Sequence, residues 1–308
     1  LSANNTSITN WSCAYTAKRG QTVKVTNHHN LAAPIVKALS RDDYTRGKSH
    51  RSVTQLIDSP RVRILRERHW DSLEEDISEK LWSVLGTAVH KVFEDHSGED
   101  VISEERLFVE VDGWVISGAI DLQDADGPSD YKCTSVWAVI HDKVEWEYQL
   151  NAYAWLMRHA KGVHSKKLSI IAVMRDWNRR QAEASPDYPQ APIATLDISM
   201  WSDEKQDAFM DHRIELHKDA EFRNLVDDRL PDCTDEERWT KPSTYAVKKG
   251  TNKRAVRVLD SLEDAESYIK DNELDNKHHV EHRLGEYTRC AGNWCRVADF
   301  CDQWQEQQ

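Results

Sequence analysis

Apolar residues recur along this chain with two periods, and the switch between them marks out its elements. From 72 to 92, Leu73, Ile77, Leu81, Val84, Ala88 and Val92 return every three or four positions, predicting one long helix with an apolar face. Ser72, three residues before Glu75, suits a capping box for it. Shorter helices are predicted over 52–56 and 60–70, the second opening with Pro60. The period then drops to two. Leu107, Val109 and Val111 alternate with Phe108, Glu110 and Asp112, which predicts a strand. Asp112-Gly113 reads as a hairpin turn, returning a second strand over 114–122. Asp126-Gly127-Pro128 breaks the chain before a third strand over 129–134. A helix over 146–159, strands over 168–175 and 194–200, and a charged helix over 203–220 follow.

The pattern changes near residue 227, where an acidic, loop-like stretch precedes a hairpin turning at Gly250-Thr251-Asn252. Beyond it come a helix capped by Ser261 and a strand over HHVEHR. The predicted organisation is a polar, partly disordered segment over 1–50, a core over 51–227 and a small module over 228–308. Strands interleaved with helices place the core in the α/β class, a central mixed sheet flanked by helices.

Composition narrows the function classes. The chain has 308 residues, 39% of them hydrophobic, enough for a sizeable core. No run of 18 apolar residues occurs, so no membrane helix is expected, and the N-terminus lacks a signal-peptide core. A cytoplasmic protein is expected, in the host cytoplasm if viral. A net charge of -12 argues against a surface coated for phosphate binding, so any nucleic-acid contact must be a local basic patch. The clearest patch runs from Lys241 to Arg257, six basic residues with no acid, including Lys248, Lys249, Lys253 and Arg254 at the hairpin turn. These four are candidates to track a DNA backbone, or else to guard a solvated strand edge.

Asp121, Asp130 and Lys132 carry the candidate chemistry. Asp121 ends one predicted strand, and Asp130 and Lys132 share a face of the next. If the strands pair, two carboxylates and an ammonium meet at one sheet edge. Close carboxylates repel, so such a site wants a hard cation, Mg²⁺ or Mn²⁺. A bound cation activates water and offsets charge on a phosphoryl oxygen, and a lysine beside it can orient that water.

The order GTAVH, GAID, DYK, QLNAY, covering roughly residues 50–160, resembles the PD-(D/E)XK nuclease superfamily in its RecB-type branch. The resemblance implies a restriction-endonuclease-like core and a Mg²⁺- or Mn²⁺-dependent deoxyribonuclease. It makes His90, Asp121 and Asp130 metal ligands, with the Tyr131 carbonyl as a further one. It gives Lys132 a catalytic role and sets Gln149 and Tyr153 on one helix face as support for the site and for DNA. An upstream ligand maps to Glu104 or Glu105, of which Glu105 is favoured. The implied activity is a DNA exonuclease of phage or bacterial recombination, end-processing or replication, with a recombination or single-strand-binding partner. The alternatives are an endonuclease of the same fold and a catalytically idle DNA-binding scaffold. No G-x-x-x-x-G-K-[ST] motif is present, so unwinding would fall to a partner.

Three of the six cysteines, Cys290, Cys295 and Cys301, crowd into the last nineteen residues, which points to a metal centre. The resembled branch often holds a [4Fe–4S] cluster with three such cysteines and one near Ser59-Pro60, where this chain has none. Cys233 is the favoured fourth ligand and Cys13 a less favoured one. Zinc is the alternative metal, and free thiols the alternative to any metal.

Overall fold

A backbone that alternates faces can bury one side of a sheet, and the strands marked by period two join into one. The computed structural model describes residues 24–40, 48–96, 98, 100–141 and 143–308. Its main sheet contains β1 (Arg51–Ser52), β2 (Ile102–Val111), β3 (Trp114–Gln123), β4 (Pro128–Thr134), β5 (Leu168–Met174) and β6 (Ile193–Ile198). The order is β1-β3-β4-β5-β6, with β2 also on β3. Pairing is mixed: β1 with β3 and β4 with β5 are parallel, and the others antiparallel. The expected mixed central sheet flanked by helices is therefore present.

The helices in chain order are α1 (Val53–Leu56), α2 (Pro60–Arg68), α3 (Leu81–Glu94), α4 (Val136–Ile140), α5 (Val144–Lys161) and α6 (Asp203–Leu225). Helix α5 supplies Leu150, Trp155 and Leu156 to the main core, against Ile116 and Ile120 of β3 and Leu168 and Ile170 of β5. Burying side chains of this size stabilises by about 1.5–3 kcal/mol each. Even-numbered residues of β3 thus face α5. Gly118 sits at the closest approach, since a Cβ there would lie 2.7 Å from Leu156 Cδ1 and 2.8 Å from Tyr153 Cε1. Helix α3 lies on the other face, where Phe93 packs on Tyr131 with ring centroids 4.9 Å apart.

Two expectations are corrected. The helix predicted from residue 72 starts only at Leu81, because Glu74–Asp76 pairs in parallel with Lys24–Thr26 and 77–80 is a 3₁₀ turn. The capping box forms instead at Ser52 and Gln55 of α1. The apolar stripe also divides: Leu73 and Ile77 are buried, whereas Leu81, Leu85 and Val92 of α3 are exposed.

Residues after 227 contribute to a small sheet and to a second core. Residues 244–283 form a small sheet of β7 (Thr244–Lys249), β8 (Arg257–Leu259) and β9 (His278–Arg283), in the order β8-β7-β9, with helix α7 (Leu262–Asp271) packed on it. Leu230, Cys295, Val297, Ala298 and Cys301 instead join Val62, Ile64 and Leu65 of α2 in a second core. Most of the segment over 1–50 expected to be polar and partly disordered, along with Cys13, falls outside the described residues. Among the described residues no helix is long and apolar enough to cross a membrane.

Candidate active site

Strands β3 and β4 pair only at Leu122 with Ser129 and Gln123 with Pro128, then separate. The split leaves the Tyr131 amide without a strand partner, and Asp121 Oδ2 accepts its hydrogen at 2.8 Å. Asp121 points to the α3 face and Asp130 to the α5 face, as alternation requires. Both look into the opening between the strands, a cavity of about 530 Å³. Asp130 and Lys132 share the α5 face, and Asp121 reaches the same opening from the other face.

On the α3 side, His90, Glu104 and Asp121 each offer a ligand atom, all within 4.8 Å of one another. His90 Nδ1 lies 3.4 Å from Asp121 Oδ2 and 3.8 Å from Glu104 Oε1. Its Nε2 is 2.9 Å from the Tyr131 carbonyl, which holds the ring so that Nδ1 faces the carboxylates. The Tyr131 carbonyl therefore orients His90. Burial lowers the His90 pKa, but Glu104, Asp121 and Asp130 outweigh it and the net shift is upward. Burial, then the charge of Asp130, pushes Asp121 up to about 7. This donor group could hold a divalent cation, which would relieve the repulsion between its carboxylates.

On the α5 side, Asp130 is almost fully buried. Its Oδ1 accepts from Gln149 Nε2 at 2.9 Å, and Oδ2 lies 2.6 Å from Lys132 Nζ yet accepts no well-oriented hydrogen bond. Gln149 Oε1 in turn accepts from Lys132 Nζ at 2.9 Å, and Gln149 Nε2 also approaches the Tyr153 hydroxyl at 2.9 Å. Gln149 thus fixes carboxylate and ammonium together, with Tyr153 fixing Gln149. Asp121 and Asp130 are themselves buried polar residues, a consequence of lying between sheet and helices.

Glu105, the favoured upstream ligand, is placed elsewhere: its carboxylate pairs with Lys161 and accepts from Gln123 Nε2 at 2.9 Å. Glu104 takes the position instead, with a left-handed φ of 53° that aims it at the cavity. The signal was present. A two-residue turn at Asp112-Gly113 pairs Val111 with Trp114, and counting back along this register sets 104 opposite 121. Arg106 and Lys91, which residue patterns did not single out, also line the cavity. Gly86 of GTAVH has no close neighbour, unlike Gly118.

Cys233, Cys290, Cys295 and Cys301 line one cavity against α2. The Ser59 hydroxyl, near the position where a cysteine is lacking, lies 3.1 Å from Cys233 Sγ, so Cys233 reaches that corner from the opposite end of the chain. Burial pushes Cys233 up to about 12 and raises Cys295 as well, so these two thiols are held neutral. The fully buried Arg61 donates to the carbonyls of Leu230 and Pro231 and pairs with Asp232 and Asp302. Four thiolates around one zinc, with Zn–S of about 2.3 Å, would stand about 3.8 Å apart. Among the described residues only the His90 group brings three donors within 4.8 Å, so these thiols are spaced more widely.

The hairpin basic residues are not brought into the active-site cavity. Lys248 pairs with Glu281 at 2.8 Å and Lys249 approaches Asp275 at 3.9 Å, which cancels half of the expected cationic cluster. Lys253 and Arg254 are exposed near the turn and form no ion pair among the described residues.

No protein-family model matches the chain, and no curated protein matches it. A solved structure entitled "Crystal structure of SSO0001" is similar over 60% of this chain and 84% of that one, at 18% identity and a TM-score of 0.39.

Proposed function

We propose that the protein is a divalent-metal-dependent deoxyribonuclease of the PD-(D/E)XK type, acting as an exonuclease on DNA ends. One observation carries this reading: a His90–Glu104–Asp121 donor group shares a cavity with the interlocked Asp130–Lys132–Gln149 set. His90, Glu104 and Asp121 would hold Mg²⁺ or Mn²⁺, with Asp130 facing the same opening. A cation there would supply an activated water and charge neutralisation for a phosphoryl oxygen.

The residues divide the remaining work. Lys132 Nζ, held by Gln149 Oε1 and Asp130 Oδ2, presents a fixed donor to the attacking water and to negative charge developing on phosphate. Gln149 keeps Asp130 from turning away. His90 is locked by the Tyr131 carbonyl, so its Nδ1 needs no reorientation to serve as a ligand. Arg106 offsets the acidic lining against a DNA backbone, whereas Lys91 is paired with Glu94 and Asp95. The four-cysteine cavity is proposed to hold a [4Fe–4S] cluster, tying Cys233 and the 290–301 segment to α2.

The test is cleavage of linear and closed circular DNA with Mg²⁺, with Mn²⁺ and with EDTA. Linear-only degradation that requires metal supports the exonuclease. Cutting of circles points to the endonuclease. Binding without cleavage by wild type would leave the idle scaffold, and undiminished cleavage by Asp130→Asn would remove the site.

A further inference from the structure

A second groove adjoins the active site, and nothing in the catalytic reading uses it. Thr54 of α1 lines both cavities. Helix α5 connects them as well, with Gln149 facing the active site and Glu145 and Tyr148 facing the groove. Tyr148 and Gln149 are consecutive on α5, about 100° apart around its axis, so the two cavities open on adjacent sides of one helix. A strand leaving the active site past Thr54 would enter the groove. The groove's volume, about 350 Å³, is that of a small-molecule site.

Its walls are aromatic and its edges acidic. Tyr148 and Phe209 pack with ring centroids 5.1 Å apart, and Trp239 stands in the same lining. Trp239 stays 43% exposed and adopts a left-handed φ of 53°, an unfavourable conformation for a bulky residue. The Arg289 guanidinium lies over its ring at 5.6 Å, and the exposed remainder of the indole offers a stacking surface. The groove's arginines are committed, Arg213 to Glu237 at 3.3 Å and Arg289 to Asp58 at 3.0 Å, so they are not free to clamp phosphate. Glu236 accepts from the Tyr148 hydroxyl at 2.9 Å, and Glu145 leaves an acidic rim that repels a phosphate but accepts hydrogens from an amino group. Aromatic faces with acceptor edges match a nucleobase and not a backbone.

We infer that this groove receives one unpaired nucleobase of the strand held at the active site, stacked on Tyr148 and Trp239, and favours bases with an exocyclic amine. The inference rests on the nuclease reading for its substrate, and it assigns the groove a strand that is single-stranded where it passes α1.

The experiment is an abasic walk on wild-type protein. Short oligo-dC strands, each with one abasic position, are bound in Ca²⁺ to suppress cleavage, and Kd is measured for each. One position should stand out, losing roughly tenfold in affinity when its base is removed, as expected for one stacked base. Thymine there should bind less tightly than cytosine or adenine. Trp239→Ala should abolish the positional dependence, and Phe at 148 in place of Tyr should preserve it. A flat walk, or no binding of any strand, overturns the base site. Cleavage of the uniform strand with Mg²⁺, run in parallel, judges the nuclease reading separately. Cutting with a flat walk removes only the groove's role, and a positional walk without cutting in Mg²⁺ or Mn²⁺ removes only the nuclease.

Discussion

The Asp121 cavity and the Cys295 cavity both gather donor atoms, and they treat charge in opposite ways. Around Asp121 the donors are carboxylates and an imidazole, crowded enough that one carboxyl is held up at about 7 and the histidine is raised as well. In the second cavity burial among Val62, Leu65 and Val297 keeps the Cys233 and Cys295 thiols neutral. The first arrangement carries repulsion that a cation or a substrate can relieve, as a catalytic site must. The second is a piece of core whose donors cost little while protonated, as a structural site must. The contrast predicts that damage to the first should cost activity and damage to the second should cost stability.

The largest effect is expected at Asp130. Asp130→Ala should lower metal-dependent DNA cleavage about a thousandfold or more, on the order of 4 kcal/mol of transition-state stabilisation, because Lys132 and Gln149 lose their common anchor. Turnover within tenfold of wild type would undo the comparison. Next, Cys295→Ala should cost about 2–5 kcal/mol of stability by losing a ligand and opening a cavity. Iron analysis alongside a denaturant melt checks it, and an unchanged melt with unchanged metal content would show the thiols to be ordinary core.

A titration separates the sites further. The folded-state pKa of Asp121 is raised, so its contribution to stability is present below about pH 4 and is lost as pH rises toward 7. The upward shift of His90 acts in the same direction, losing stability above its ordinary range. Metal-free protein in EDTA should therefore be less stable at pH 7.5 than at pH 5 by up to a few kcal/mol relative to Asp121→Asn. Added Mg²⁺ should close the gap, and thermal melts across pH read it directly. Equal pH dependence in wild type and variant would mean that the carboxylates are not under strain.

Gly118→Ala tests packing behind the site. The added methyl meets Tyr153 and Leu156, so a loss of about 1–3 kcal/mol is expected. Gly86→Ala, in open space, should be neutral or slightly stabilising for α3. The smallest effect is expected at Glu105. Glu105→Ala removes a partly exposed ion pair with Lys161, worth about 1 kcal/mol or less, and should leave Mn²⁺ affinity unchanged. Glu104→Ala should weaken Mn²⁺ binding, measured by calorimetry. The reverse ranking would restore Glu105 as the ligand.

How much was legible depended on whether a feature was local. Period-two alternation and the Asp112-Gly113 turn located β2 and β3, and the Cys spacing located a shared cavity, because each is written in consecutive residues. The start of α3 was not legible, since it depends on Glu74–Asp76 pairing with Lys24–Thr26 some fifty positions away. The charge of the hairpin was legible, but its neutralisation by Glu281 and Asp275 was not, because the partners sit on another strand and a loop. Glu104 lay between the two cases: the register fixed by the turn contained it, and a choice based on motif spacing alone passed over it.

By itself the sequence determined the residue types at the site, the alternating pattern that builds the sheet, and the apolar faces that bury it. These follow from side-chain chemistry and backbone periodicity, which are properties of short segments. Only the tertiary structure decided that Asp121 and Asp130 approach from opposite faces through a split between strands. It alone brought Cys233 to the corner beside Ser59, and opened an aromatic groove between α5 and the segment around Trp239. Those arrangements depend on where strands part and which distant surfaces pack, and neither is encoded in the spacing of neighbouring residues.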